Sequence, residues 1–500
     1  MLEQTNTKKI DNYRYYLDLG MKYEVKSNNQ AFLCYENALY YCKDEKERAE
    51  VRKRYNELVN QNMVTVNKTA IVILSYNNLQ LTKDCIESLK KHNAYNSYEI
   101  IVVDNASEDG SREWLKQQTD IKKVFNDENQ GFPQGCNQGI MAAEKNSDIF
   151  LLNNDTIVPP NALFWLRMGL YEDECIGAAG SVSNDVVNYQ QVPERFSTIE
   201  QWMDFAMKNN VWMEHPYEKK GWLVGFAMLI KREALNKVGL LDQRFYPGNY
   251  EDNDLSIRLI LEGYKLLLCK NSFIYHYGSK AFNKNRVGFQ NLLRENEKKL
   301  SDKYDFNYIP YSEIDSSIVE LIQPLRDGHS VLELGCGLGC TLARIESLYP
   351  GITVVGVEDN EKLFNVAKEI TDVYQGNIMN SINLPVEEFD YIIIDRTLSR
   401  WGDPAQLLKK AKIYLKKGGV IIVSVLNKDC IQDVPDIRGS KLTLEEFVYI
   451  CNEAQLPIRK FHFRAAKLSQ DEEQDCVKLA KEQGKDEALF RAQRFIFEIG

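Results

Sequence analysis

The sequence predicts an α/β protein of two domains, each built on a mainly parallel sheet, with a short helical segment ahead of them. Three observations carry this. Residues 67–300 alternate strand-length apolar runs with amphipathic stretches, which is the pattern of strand–helix–strand units. A second alternation of the same kind begins near Ser330 and continues to the end of the chain. The 500 residues also exceed what one ordinary hydrophobic core supports. The expected boundaries are 1–66 for the helical segment, 67–300 for the first α/β domain and 305–500 for the second. A polar, charged connection over Asn283–Ser312 reads as a long helix with a linker.

Composition narrows the function classes. With 44% hydrophobic and 27% charged residues the chain is globular, and its formal charge of −10 (62 basic against 72 acidic) argues against a nucleic-acid or anionic-membrane partner. Its longest apolar candidate, Trp222 to Ile230, has the length of a buried strand, well short of the roughly 18–20 residues that span a bilayer. The first residues carry no apolar stretch of the secretory type. Eleven cysteines without a CxxC pair or zinc-type spacing read as reduced thiols. The expectation is a soluble cytoplasmic protein.

In the first segment, Tyr16-x2-Leu19-Gly20-x2-Tyr23 followed by Ala31-x3-Tyr35-x2-Ala38 resembles one tetratricopeptide repeat. Small residues at these places let two antiparallel helices approach closely. A lone repeat cannot bury its own face, so it must dock on something else. A plain helical hairpin packed on the next domain fits the same residues.

The central domain holds four strand-end motifs. Ala70-Ile-Val-Ile-Leu-Ser-Tyr-Asn77 and Glu99-Ile-Ile-Val-Val-Asp104 are buried-strand runs that end on polar loops, the second continuing into Asn105-Ala-Ser107-Glu-Asp109-Gly110. Ligands of open α/β sheets bind beyond such carboxyl ends, although either loop alone also fits an ordinary strand-to-helix turn. The glycines of Asn129-Gln-Gly131-Phe-x2-Gly135-x-Asn137-Gln-Gly139 suggest close backbone approach to a ligand. Asp148-Ile-Phe-Leu-Leu-Asn153-Asn154-Asp155 ends in amide and carboxylate oxygens, hard ligands suited to Mn²⁺ or Mg²⁺.

In this order the motifs resemble the family-2 glycosyltransferases of GT-A fold, particularly their rhamnosyltransferase-like branch. The resemblance implies nucleoside contacts at Ser75, Tyr76, Asn77, Asp104 and Ser107, and a donor wall at Gly131 and Asn137. Asn153-Asn154-Asp155 then stands in the place of the family's metal motif, with Asp155 as its main protein ligand. Gly221-Trp222-Leu-Val-Gly225-Phe-Ala-Met-Leu-Ile reads as a strand entering a glycine turn, and the resemblance implies that Gly225 lies beside the donor sugar. Glu251, Asp252 and Asp254 open an amphipathic helix. Acids at a helix start are ordinary capping chemistry, and Asp254 fits that reading. The family's acidic pair points Glu251 and Asp252 toward catalysis, with Asp252 as general base and Glu251 orienting acceptor or donor. His276, in Tyr275-His276-Tyr277-Gly278-Ser279, matches a family histidine and is the expected second metal ligand opposite Asp155; Tyr275 replaces a histidine that the family often has there.

The last domain opens with Ser330-Val-Leu-Glu333-Leu-Gly335-Cys-Gly337-Leu-Gly339-Cys, and its next strand ends on Glu358. That geometry suits a nucleoside, the acid bonding ribose hydroxyls. With Gly376-Asn377, Phe389-Asp390 and Leu415-Lys-Lys-Gly418-Gly419, it resembles the class I S-adenosylmethionine-dependent methyltransferases. The resemblance implies cofactor contacts at Glu333, Gly335, Gly337, Gly339, Glu358 and Asn377. Arg396-Thr-Leu-Ser399-Arg400 replaces an acidic and histidine run common in related domains. Methyl transfer and a scaffold role, with or without cofactor binding, both stay open.

Together these readings imply an inverting, metal-dependent transferase using a UDP- or dTDP-sugar such as UDP-GlcNAc. Fusions of this type occur in bacterial flagellin and surface-glycan modification clusters, so the expected acceptor is a hydroxyl of a protein such as flagellin, or of a glycan. A bifunctional glycosyltransferase and methyltransferase, or an interaction scaffold, are the alternatives.

Overall fold

The structure is a computed structural model that describes residues 12–93, 97–278, 286–322, 325–380 and 382–500. Ser279 and the start of the expected linker, 283–285, lie outside the described residues. The chain divides into two compact units. One is built on residues up to Glu218 together with Trp222–Lys299, the other on Leu300–Gly500 together with Lys219–Gly221.

The first unit is organised by β1 (Thr69–Ser75), β2 (Tyr98–Asp104), β3 (Lys122–Phe125) and β4 (Asp148–Asn153). The apolar runs of β1, β2 and β4 are buried on both faces, as interior parallel strands require, whereas β3 is the edge strand. After them come β5 (Thr156–Ile157), β6 (Ile176–Val182), β7 (Tyr217–Lys219), β8 (Ala227–Ile230), β9 (Lys265–Phe273) and β10 (Tyr275–His276). The sheet order is β3-β2-β1-β4-β8-β6-β9-β7. β1 pairs in parallel with both β2 and β4, whereas β8 runs antiparallel to β4 and β6. The chain therefore changes direction of travel across the sheet at β1/β4, the switch point where open sheets form a crevice. Because β8 is reversed, the turn that precedes it arrives at the same sheet edge as the carboxyl ends of β1, β2 and β4.

Trp222–Ile230 departs from the expected strand. Only Ala227–Ile230 is extended. The turn before it is apolar yet irregular, because its N–H groups are taken by side chains: Leu223 donates to Ser256 Oγ, Val224 to Gln190 Oε1 and Gly225 to Asp252 Oδ2.

The helices Asn12–Tyr23 and Asn28–Tyr41 form a hairpin, followed by the helix Glu45–Asn60. Ser27 and Asp44 cap the second and third helices with their side chains. Gly20 permits the close crossing, since a Cβ there would stand 2.4 Å from the Tyr35 ring. The hairpin docks on the wholly buried helix Ala162–Leu170: Tyr16 meets Phe164 edge-on at 5.0 Å, Gln30 donates to the Met168 carbonyl at 3.1 Å, and Glu36 pairs with Arg167. One apolar core thus runs from Tyr16 and Leu33 through Trp165 to Ile71 and Phe150.

The second unit contains β11 (Ser330–Leu334), β12 (Thr353–Glu358), β13 (Val373–Gln375), β14 (Phe389–Asp395), β15 (Leu415–Asn427), β16 (Lys441–Leu442), β17 (Ile458–Ala465) and β18 (Ala492–Ile499). Its order is β13-β12-β11-β14-β15-β18-β17, with β16 beside β15. The strands up to β16 pair in parallel, and β18 is antiparallel to both β15 and β17. Both sheets are thus mixed.

Candidate active site

At the ends of β1 and β2 the residues singled out from the sequence divide into two kinds. Ser75 is buried, its hydroxyl 3.1 Å from that of Thr82. Asn77 and Ser107 clamp the two loops together: the Asn77 N–H donates to Ser107 Oγ at 2.8 Å, and the Glu108 N–H donates to Asn77 Oδ1 at 2.9 Å. These three side chains are engaged by the protein itself. Tyr76 stands out at 48% exposure, and Asp104 is fully buried with neither carboxylate oxygen hydrogen-bonded. The nearest cation, Arg112 Nε, is 3.9 Å away. Buried carboxylate oxygens nearly always have partners, so Asp104 retains accepting capacity at a strand end.

The glycines after β3 serve packing. Gly131–Ala142 is a helix, and Gly135 and Gly139 lie one turn apart on its face toward β1. A Cβ would stand 2.3 Å from Leu74 Cδ1 at the first and 2.4 Å from Val72 Cγ1 at the second. Gly131, at φ +74°, abuts Tyr246 and the Pro247 carbonyl. Asn137 is buried, donating to the Leu241 carbonyl at 2.8 Å and accepting the Leu241 N–H at 3.0 Å. The small residues of this run seat a helix against β1, and Asn137 ties that helix to the 241 loop.

Beyond β4 the chain makes a tight turn, and the short antiparallel pair β5–β10 sets Thr156 opposite His276. Asp155 Oδ1 lies 3.2 Å from His276 Nε2. His276 Nδ1 is 2.8 Å from the Asp185 carbonyl, an acceptor, so the ring proton sits on Nδ1. In the neutral ring, Nε2 therefore aims a lone pair at a carboxylate oxygen, an arrangement that needs a proton or a cation between them. Burial lowers the His276 pKa, and the Asp155 hydrogen bond and charge reverse this to a net rise. An oxygen and an imidazole nitrogen converging in this way fit a divalent ion. Among the described residues no group of three or more His, Cys, Asp or Glu side chains does so. Asn154 donates to Thr82 Oγ1 at 3.0 Å, and the Asn153 amide lies 3.5 Å from His276 Nε2.

The acidic run opens the helix Glu251–Leu261 after two left-handed residues, Asn249 and Tyr250. Its three acids have different surroundings. Asp254 pairs with Arg258 at 2.9 Å, and Arg258 in turn donates to the carbonyls of Val238, Gly239 and Leu240. Asp254 is thereby a structural anchor. Asp252 accepts the Gly225 N–H on Oδ2 and the Asn253 N–H on Oδ1, both at 2.9 Å. Glu251 is buried, with Oε2 lacking a partner. Burial pushes the Glu251 carboxyl well above its ordinary range, and the neighbouring Asp252 charge adds to this. Burial also raises Asp252, against the pull of its two N–H donors. Gly225 touches Asp252, and the adjacent Phe226 ring lies 5.2 Å from the His276 ring. The turn before β8 therefore joins the Asp155–His276 pair to the acidic pair.

In the second unit Gly335, Gly337 and Gly339 all have positive φ, at +75°, +58° and +74°, which explains why glycine stands at each. Glu333 is buried, with Oε2 unpartnered, and burial pushes its carboxyl up to about 8. Asn377 caps its own turn, accepting from the N–H groups of Met379 and Asn380. Glu358, at the end of β12, is fully buried and held by Arg400 and by the N–H groups of Gly337 and Asn360. Tyr311, Asp395 and Arg438 also belong to this cluster. Asp395 closes the apolar run of β14, whereas no strand-end or glycine signal marked Tyr311 or Arg438 in the sequence.

Residues 70–239 match the family model for glycosyl transferase family 2, and residues 325–494 match a methyltransferase domain model. A Bacillus subtilis protein, the uncharacterized glycosyltransferase YfnE, is 22% identical over 256 residues, covering 42% of this chain and 64% of its own. The ubiquinone biosynthesis O-methyltransferase of Coxiella burnetii is 27% identical over 156 residues, covering 28% of this chain and 65% of its own. The structure of GalNAc-T7 with UDP, GalNAc and Mn²⁺ aligns at 17% identity over 42% of this chain and 44% of that one, with a TM-score of 0.35. In none of the three does the match span two thirds of the relative's length. The first unit has a GT-A-like fold and the second a Rossmann-like methyltransferase fold. Residues 70–239 are thus a family-2 glycosyltransferase domain, carried in one chain with a methyltransferase domain at 325–494.

Proposed function

We propose that residues 67–300 catalyse an inverting transfer of a sugar from a nucleoside diphosphate sugar, UDP- or dTDP-linked, to a hydroxyl of a protein or a surface glycan. The observation that carries this reading is the pair of clusters on either side of one turn. Asp252 lies against Gly225, and Asp155 with His276 lies beyond Phe226.

Each side chain has a task set by its surroundings. Asp104, whose buried oxygens accept no hydrogen bond within the protein, accepts hydrogen bonds from the nucleoside. Asp155 Oδ1 and His276 Nε2 would hold a divalent ion, which supplies charge stabilisation for a departing diphosphate. Asp252 takes the proton from the incoming hydroxyl. Its two backbone donors favour the ionised form over the neutral one. Glu251 has no such donor on Oε2, keeps its proton and orients by donating it.

The test is transfer, or hydrolysis of the donor, across a panel of nucleotide sugars with Mn²⁺ and with chelator. Chelation should abolish turnover, and Asp155→Ala should weaken donor-dependent Mn²⁺ binding. Undiminished turnover in chelator would exclude the metal-assisted mechanism.

A further inference from the structure

The second unit has the frame of a nucleoside site, yet the chain fills that site with its own side chains. Glu358 closes β12 where a ribose diol would be held, and a carboxylate offers about four acceptor positions. All four are taken. Oε2 accepts the Gly337 N–H at 2.9 Å and Arg400 Nη1 at 3.3 Å. Oε1 accepts the Asn360 N–H at 2.9 Å and Arg400 Nη2 at 2.5 Å. Arg400 is further fixed by Asp359 at 2.6 Å.

The glycine loop is covered as well. The Leu338 N–H donates to the Tyr311 carbonyl at 3.1 Å, and that same carbonyl lies 2.9 Å from where a Cβ of Gly337 would stand. The Tyr311 ring has two guanidinium groups over it, those of Arg400 at 5.8 Å and Arg438 at 5.5 Å, a contact that stabilises cations near aromatic faces. Arg438 donates to the Gly335 carbonyl at 2.6 Å and to Asp395 Oδ2 at 3.1 Å. The backbone that would face the amino-acid part of the ligand is therefore bonded to Tyr311 and Arg438.

We infer that Tyr311, Arg400 and Arg438 form a built-in plug, with Arg400 standing in for the ribose hydroxyls on Glu358, so that this methyltransferase-like unit takes up no S-adenosylmethionine. A ligand would have to displace a bidentate guanidinium from a fully buried carboxylate, and two hydroxyl groups are weaker partners than that cation. Of the three glycines only Gly337 faces the plug, at Tyr311; Gly335 and Gly339 face Thr397 and Thr371, and all three hold their turns through positive φ.

Calorimetry on the full chain with S-adenosylmethionine and S-adenosylhomocysteine tests this. The unaltered protein should give no saturable binding at roughly millimolar ligand. Arg400→Ala should gain affinity by at least about tenfold. Arg400→Lys, whose single ammonium cannot match the paired guanidinium bonds to both Glu358 oxygens, is the second variant should the first fail to fold, and it too should gain affinity. Saturable binding by the unaltered chain that Glu358→Ala weakens overturns the inference. Absence of binding by both the parent and the folded Arg400 variants also overturns it, because Arg400 would then not be what closes the cradle.

Discussion

Glu251, Asp252 and Asp254 sit within one turn of helix, and their partners sort them. Asp254 is bound to Arg258, Asp252 to two backbone N–H groups, and Glu251 Oε2 to nothing. A base must be ionised in the resting enzyme, which favours the residue with donors on both oxygens. Asp252→Asn should lower turnover by roughly 10²–10⁴-fold while donor affinity persists, read as a kcat loss with little change in donor Kd. Glu251→Gln mimics the protonated acid and should retain most of the turnover. Near-normal turnover in Asp252→Asn would place the base elsewhere. The pH profile follows from the same burial. Asp252 is raised above its ordinary value, so activity is present above that raised pKa and lost as pH falls through it. The acid limb of kcat/KM should lie above the range of an exposed aspartate and disappear in the Asn variant.

At the scale of elements, the helix Gly131–Ala142 decides how closely the crevice wall approaches β1. Its glycine spacing is legible in the sequence, but a glycine beside a ligand and a glycine beside a strand look alike there. The structure assigns Gly135 and Gly139 to the strand, against Leu74 and Val72. Gly139→Val should therefore overpack the helix–sheet contact and destabilise the first unit by about 1–3 kcal/mol, measured as a lowered denaturation midpoint. Unchanged stability would mean that the contact is looser than the 2.4 Å approach indicates. The turn before β8 holds the same lesson. Trp222, Leu223 and Val224 are apolar and at least partly buried, and apolarity reports burial. It does not report that the N–H groups of Leu223, Val224 and Gly225 would find Ser256, Gln190 and Asp252 in place of a strand ladder.

At the scale of the whole molecule, the chain divides into two compact units, and linkage makes a ligand confined to one of them measurable. A nucleoside diphosphate with Mn²⁺ that binds only the folded first unit stabilises it by about 2.7 kcal/mol at a hundredfold excess over Kd. Hydrogen exchange should then slow in β1, β2, β4 and β10 and stay unchanged over residues 325–500. Protection spread equally over both units would contradict a donor site confined to the first. Among the described residues no helix is long and apolar enough to cross a membrane.

What the sequence by itself determined is whatever local chemistry dictates. β1, β2 and β4 are apolar runs that end on polar residues, β11 runs straight into its glycine loop, and the glycines at 335, 337 and 339 supply the left-handed turns that a strand-to-helix loop requires. These depend on neighbours a few positions away, so they can be read in one dimension. The tertiary structure alone decided which polar groups are free and which already have partners. The reversal of β8 brings Gly225 to Asp252, the β5–β10 pair brings His276 to Asp155, and three separate segments deliver Tyr311, Arg400 and Arg438 to one loop. A hydrogen bond saturates its acceptor whatever the sequence distance to its donor. Glu358 and Asp104 therefore look alike as acids at strand ends, and only the fold leaves Asp104 open and closes Glu358.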